Sequence, residues 1–287
     1  MSNDQTISES GEHIQDKFKR VIRGKPCYAN AIKRILVRDI PTHAFDKINI
    51  IRNACAENLD ELKLRLSMIP VCGRVKVSVD EAIAQNSDDR IVTTDHFHFI
   101  EGDEKMVIPD FFIAKLTKGQ VLSFDMETAI GTGKQHTKWI ACGAYLSYKE
   151  SDGFVPNGDD GVVLVIERYQ IDPVKLYENA VGIFKRRMKA LLDEFGNNEL
   201  VPILRSEILL IYELDEKNYD VAYIMPIVIE MRGTNRKGDD VREQISAEYT
   251  KKHPSADKYH FMIKGVRPHA RMVAAIRTVI KNADKFF

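Results

Sequence analysis

Two segments of this sequence carry the same packing signature, and they limit the fold more than any other feature. Between residues 173 and 195 the apolar positions Val174, Tyr177, Val181, Phe184, Met188, Leu191 and Phe195 are separated by alternating steps of three and four. Between residues 268 and 286, Met272, Ile276, Val279, Ala283 and Phe286 step by four and three in turn. That alternation is the seam of an α-helix packed lengthwise on another at about +20°. Asp172 followed by Pro173 gives an N-cap and a proline at the first helical position, and Gly196 with Asn197 gives a C-terminal stop. Pro268 opens the second helix in the same way. Each seam taken alone is satisfied by any apolar core. Two of one spacing point to the helices pairing with each other.

The surrounding pattern repeats as well. A strand at 18–22 precedes a helix in which Ala29, Ile32, Ile35 and Leu36 share a face, and Pro41 bars its continuation. A strand at 44–51 and a helix at 60–67, stopped by Pro70, follow. Val162–Tyr169 is read as the strand that leads into the first long helix. In the last third, Ile227–Met231 is expected as a strand and Asp239–Tyr249 as a helix with Val241, Ile245 and Tyr249 on one face. A strand at 259–265 then leads to the second long helix. Strand, helix, strand and long helix thus occur twice. The first copy is interrupted by residues 73–157, short apolar runs between turn formers, with one short helix expected near Asp80–Ala84. The expected fold class is α+β. It comprises a disordered tail at 1–17, a discontinuous dimerisation domain at 18–72 and 158–198, a β-rich insert at 73–157, and a smaller dimerisation-like domain at 199–287.

Composition bounds the function. The chain has 287 residues, with Lys+Arg and Asp+Glu equal at 42 each. A stand-alone nucleic-acid binder normally carries a basic surplus, and this chain has none. The first residues are polar and acidic without an apolar core, unlike a signal peptide, and no apolar run reaches the ~18 residues of a membrane span. Cys27, Cys55, Cys72 and Cys142 show no CxxC spacing, so reduced thiols in an intracellular compartment are expected rather than disulfides or a zinc site.

Few strings invite chemistry. Residues 129–139, AIGTGKQHTKW, contain Gly133–Lys134, but a phosphate-cradling loop needs glycine where Thr128 stands and a hydroxyl where Gln135 stands. The reading preferred here is a glycine-bent surface loop presenting Lys134, His136, Lys138 and Trp139 for protein contact. His96 and His98, with Asp95, have strand spacing that could serve a metal, yet no third ligand is near; a solvated strand face is preferred. Asp159–Asp160 and Asp239–Asp240 are acidic pairs in turns, without a cleft signature. No catalytic triad or metalloprotease pattern is present.

Four stretches resemble the alpha-like subunits of multisubunit DNA-dependent RNA polymerases, the family of the bacterial alpha N-terminal domain, the archaeal D and L subunits and the eukaryotic third- and eleventh-subunit pair. They are the helix Tyr28–Leu36 (YANAIKRIL); the run from Ile40–Asp46 through Asn53, Asp60–Glu61 and Arg65–Leu66 to Ile69–Pro70; Leu116–Gln120 with Gly131–Trp139; and the strand from Val162 with the helix from Pro173. His253–Pro254 and the strand 259–264 are similar to the small L-like partner, although the helix start is Gly238–Asp239 where the family has Gly-Asn. The resemblance implies a large and a small alpha-like module fused in one chain, an arrangement suited to large DNA viruses, with possible virion packaging. It implies an assembly subunit that is not an enzyme by itself. Its partners would be the two largest polymerase subunits and a small assembly subunit, with an internal pseudo-dimer, little nucleic-acid contact and no membrane. Asn30, Lys33, Arg34, Lys134, His136 and Trp139 are implied as interface, and changing Lys33 and Arg34 to Glu is expected to spare folding. The pairing seam would comprise Val174, Tyr177, Val181, Phe184, Met188 and Leu191 with Met272, Ile276, Val279 and Ala283. Some relatives carry a zinc or iron–sulfur loop; with Cys142 as the insert's only cysteine, no metal or other cofactor is expected. Two rivals stay open: an enzyme using the 129–139 loop, and a general dimerising protein of the same architecture.

Overall fold

The structure is a computed structural model. It describes residues 17–22, 25–85, 88–148, 162–168, 171–197, 199–233, 244–251, 253 and 256–287. The tail at 1–16 and both acidic pairs lie outside the described residues.

The chain runs β1 (Lys17–Ile22), α1 (Pro26–Arg38), β2 (Thr42–Asn53), α2 (Leu59–Ser67), β3 (Lys76–Ala82), β4 (Arg90–Thr93), β5 (His98–Glu101), β6 (Phe112–Leu116), β7 (Val121–Gly131), β8 (Cys142–Tyr148), β9 (Val162–Arg168) and α3 (Pro173–Gly196). It continues with β10 (Leu204–Arg205), β11 (Leu209–Asp215), α4 (Val221–Arg232), β12 (Ser246–Thr250), β13 (Lys258–Lys264) and α5 (Pro268–Phe286). The mixed α+β class expected from the sequence is what forms.

One topology appears twice. In the first module the sheet order is β1-β9-β8, all antiparallel, with α1 after β1 and α3 after β9. In the second, β11, β13 and β12 stand in the same order, with α4 after β11 and α5 after β13, and β10 adds an outer strand beside β11. Each copy therefore holds three strands; the sequence pattern read β1 and β9 in the first, leaving the β8 run to the insert, and only β13 in the second. β2 to β7 lie between α1 and β8 of the first copy.

α3 packs on α5, α1 on α4, α1 on α3, and α4 on α5. A single buried cluster runs through both modules, from Ile32 and Phe184 to Ile227 and Ile276. A second cluster, with Phe45, Leu66, Val77, Ile113 and Phe124, belongs to the insert. The two clusters divide the chain differently from the expected 18–72, 73–157 and 158–198. β2 and α2 join the insert because β2 pairs along its length with β7, and β8 joins the first module because it pairs with β9.

Three element assignments are corrected. Residues 227–231 lie in a helix: α4 packs on α1, α5 and β12, and its half-exposed stripe, Val221, Met225 and Ile229, is apolar too. A helix whose open and covered sides are both apolar shows no period, and Pro226 inside it further disguises it. Residues 246–249 of the expected helix 239–249 belong instead to a strand, β12. Steps of four residues fit a helix face and a strand face equally: Ile245 and Ala247 are buried and Tyr249 half-buried on one side of that segment. Asp80–Ala82 end β3, whose Val77 and Val79 are buried on alternate positions.

Candidate functional site

The 129–139 loop folds inward more than its composition suggests. A Cβ at Gly133 would stand 2.0 Å from the Val37 carbonyl oxygen, so only glycine lets the loop lie against the end of α1. There the Lys134 amide donates to the Arg38 carbonyl at 3.0 Å, satisfying one of the acceptors that a helix end leaves open. Gly131 makes room for the Trp139 ring, which a Cβ would meet at 2.4 Å. Trp139 is half-buried, and its Nε1 donates to the Ala129 carbonyl at 3.1 Å. Lys138 lies 4.4 Å from the centre of that ring and is held to Asp46. Trp139 and Lys138 are thus fixed in place rather than fully presented, which corrects the expectation of a loop exposed throughout. Lys134 and His136 are exposed. The Lys134 Nζ donates to the Lys217 carbonyl of the second module at 2.5 Å, and His136 Nδ1 accepts from the Lys138 amide at 3.1 Å. A short 3-10 turn, Thr137–Trp139, follows instead of the long helix a phosphate loop requires.

On α1, Asn30 is exposed and Lys33 half-buried. Both line an open groove of about 630 Å³ whose walls include Tyr145 and Leu146 of β8 and Ile229 of α4. Arg34 does not join them. Its Nε lies 3.4 Å from Asp220 Oδ1, and Arg38 reaches Asp220 Oδ2 at 2.5 Å. Asp220 is 3% exposed and also caps α4, accepting from the Ala222 amide at 2.7 Å. Arg34 is therefore a contact between modules. The expectation that Lys33 and Arg34 could both become Glu without harm to folding fails for Arg34, since a new carboxylate would face a buried one.

Two further contacts follow the same line. Tyr223 of α4 donates to Asp39 Oδ2 at 2.7 Å. Glu230, at the far end of α4, accepts from Tyr28 and Lys25, each at 2.8 Å, and from Asn282 of α5 at 3.2 Å. Burial pushes the Tyr28 and Tyr223 hydroxyls up, with Glu230 and Asp39 adding to the rise, so both remain protonated donors. The sequence reading missed Asp220, Glu230, Lys25, Arg38 and Asn282. An Asp directly before the apolar run 221–229 was the available N-cap signal.

Along the long helices, Tyr177, Phe184, Met188, Leu191, Met272, Ile276, Val279 and Ala283 are buried, and Val181 is half-buried. Val174 is 42% exposed and stands outside the contact; Leu176 and Ala180 are buried instead. Phe184 stacks on Tyr223 at 6.2 Å and meets Phe287 edge-on at 5.7 Å, so an α3 ring touches α4 and the chain's last residue.

His96 and His98 do not share a strand face. His96 closes a 3-10 turn, its Nδ1 accepting from the Thr93 amide at 3.2 Å, while His98 starts β5. Among the described residues no group of three or more His, Cys, Asp or Glu is placed to hold a metal. No described helix is long and apolar enough to cross a membrane.

No family model matches the chain. Curated proteins similar to it are subunits of DNA-directed RNA polymerases. The Rpo3 subunit of Methanocaldococcus jannaschii is 27% identical over 192 residues, 66% of this chain and 96% of the relative. The Rpo3 subunits of Thermococcus kodakarensis and Pyrococcus horikoshii are 30% and 31% identical, over 48% and 47% of this chain. The chain spans 57% and 56% of those two relatives' own length. By sequence the chain is thus similar to Rpo3 subunits, the alpha-like D subunits of archaeal RNA polymerases.

Proposed function

We propose that this chain is a non-catalytic assembly subunit of a DNA-directed RNA polymerase. The observation that carries this reading is the similarity to Rpo3 over 96% of the M. jannaschii subunit's length. Assembly is the role of the alpha-like class. An intracellular location follows from that role, and reduced thiols are compatible with it.

The finer reading is an internal pseudo-dimer. The first module corresponds to the large alpha-like partner and the second to the small one. Support comes from the repeated strand order and from the single core that runs through both modules. Linking the modules in one chain keeps each at an effective concentration of roughly millimolar for the other. The partners are the two largest polymerase subunits and a small assembly subunit. The groove beside Asn30 and Lys33 is the contact region favoured on α1, because those side chains are not consumed by the inter-module contact. Lys134 and His136 mark a second contact region. A viral source and virion packaging rest on the fusion alone.

Co-expression with the two large subunits tests the function. A tagged chain should bring down both, and N30A/K33E should lose at least one of them while keeping its melting temperature. A stable chain that recruits neither would overturn the assembly reading.

A further inference from the structure

The polar residues between α1 and α4 divide by sign, and the division has a consequence for partner choice. Lys25, just before α1, and Arg34 and Arg38 within it supply the positive charges. The second module supplies Asp220 and Glu230, only 3% and 8% exposed. Each carboxylate is fully engaged. Asp220 holds two guanidinium groups and the α4 N-terminus, while Glu230 holds an ammonium, a phenol and an amide.

We infer that this charge division makes the α1–α4 face pair only with the opposite module, excluding self-pairing between two copies of the same module. This inference rests on the internal pseudo-dimer reading. The two modules share a topology, so each could in shape dock on a second copy of itself. A second α1 opposite α1 would set Lys25, Arg34 and Arg38 against like charges, with Asp39 as the single carboxylate on that face to receive three cations. A second α4 opposite α4 would bury Asp220 and Glu230 without their cations. An unpaired buried charge is far costlier than a paired one, and like charges facing each other suppress wrong partners. The apolar seams carry no such sign, since Phe184, Met188, Ile276 and Val279 would pack on many apolar surfaces. Shape and area hold the modules together, and the two carboxylates choose the partner.

The test uses the full chain with a protease site inserted after Val201, a 76% exposed position in the connector between the modules. One version keeps the native charges; the other carries R34E, R38E and D220R. Both are folded, cleaved, mixed and left to exchange, and native mass spectrometry counts the pairs. The expected result is one first module with one second module, cognate pairs exceeding non-cognate pairs by about tenfold or more. Random mixing, or first-module homodimers at comparable abundance, would overturn the inference. Complete separation after cleavage would overturn the pseudo-dimer reading along with it. D220N covers the case in which the swapped chain does not fold, because Asn still caps a helix. Its cleaved modules should exchange roughly a hundredfold faster than wild type, and an unchanged rate would equally overturn the inference. None of these readouts needs the large subunits, so failure of the polymerase reading leaves them intact.

Discussion

Cys27 and Cys142 have pKa values pushed up to about 12 from 9.0, in both cases chiefly by burial, with Glu230 adding to the effect at Cys27. Below pH 9.0 these thiols are neutral in folded and unfolded chains alike. Between 9.0 and about 12 the unfolded chain ionises while the folded chain does not, so unfolding is favoured as pH rises through that window. Melting temperature should therefore fall as pH rises above 9.0, and less steeply in a C27A/C142A chain corrected for its own neutral-pH stability. Alkylation at neutral pH should label exposed Cys72 well before Cys27 and Cys142. Gly133 offers a second test at this scale. G133A drives a methyl group into the Val37 carbonyl, and denaturant melts should show a loss of about 1–3 kcal/mol. Both positions were named from the sequence, but for other reasons. A cysteine's burial and a glycine's nearest neighbour belong to distant segments and leave no local mark.

At the scale of elements, α1 presents two neighbouring cations with opposite fates. K33E should leave stability within ~0.5 kcal/mol, since half-buried Lys33 lines the open groove, where a carboxylate keeps access to water. R34E should cost at least about 1.5–3 kcal/mol, the range for losing a charge-assisted hydrogen bond, with added repulsion from Asp220. Chemical denaturation of the two single variants separates them; equal effects would show that Arg34 does not bear on folding through Asp220. Periodicity located the helices that have one wet face: α1, α2, α3 and α5. It failed for α4, whose half-exposed stripe is itself apolar, and for β12, where a spacing of four suits both helix and strand. Among the candidate contact residues, Asn30, Lys134 and His136 are exposed and Lys33 is half-buried. Arg34, Trp139 and Val174 are not disposed as expected, because the direction of a side chain depends on what packs beside it.

The whole molecule has two buried clusters, one shared by both modules and one confined to the insert. F124A should remove about 3–5 kcal/mol from the insert. Hydrogen exchange should show faster opening of β3 and β7 while α1, α4 and α5 keep their protection. F184A should instead loosen both modules at once, since Phe184 contacts rings from α1, α4 and the C-terminus. The sequence by itself determined that two long helices would carry lengthwise seams, that the chain would be α+β with a β-rich insert, and that it would resemble an alpha-like subunit. Those properties follow from local spacing and ordered motifs. Only the tertiary structure decided where the insert begins and ends, that 221–232 is a helix, and that Asp220 and Glu230 join the modules. Strand pairing reaches up to 150 positions along the chain, from Lys17 to Glu167, and the buried charge contacts about 200; no local pattern encodes which distant partner a side chain will meet.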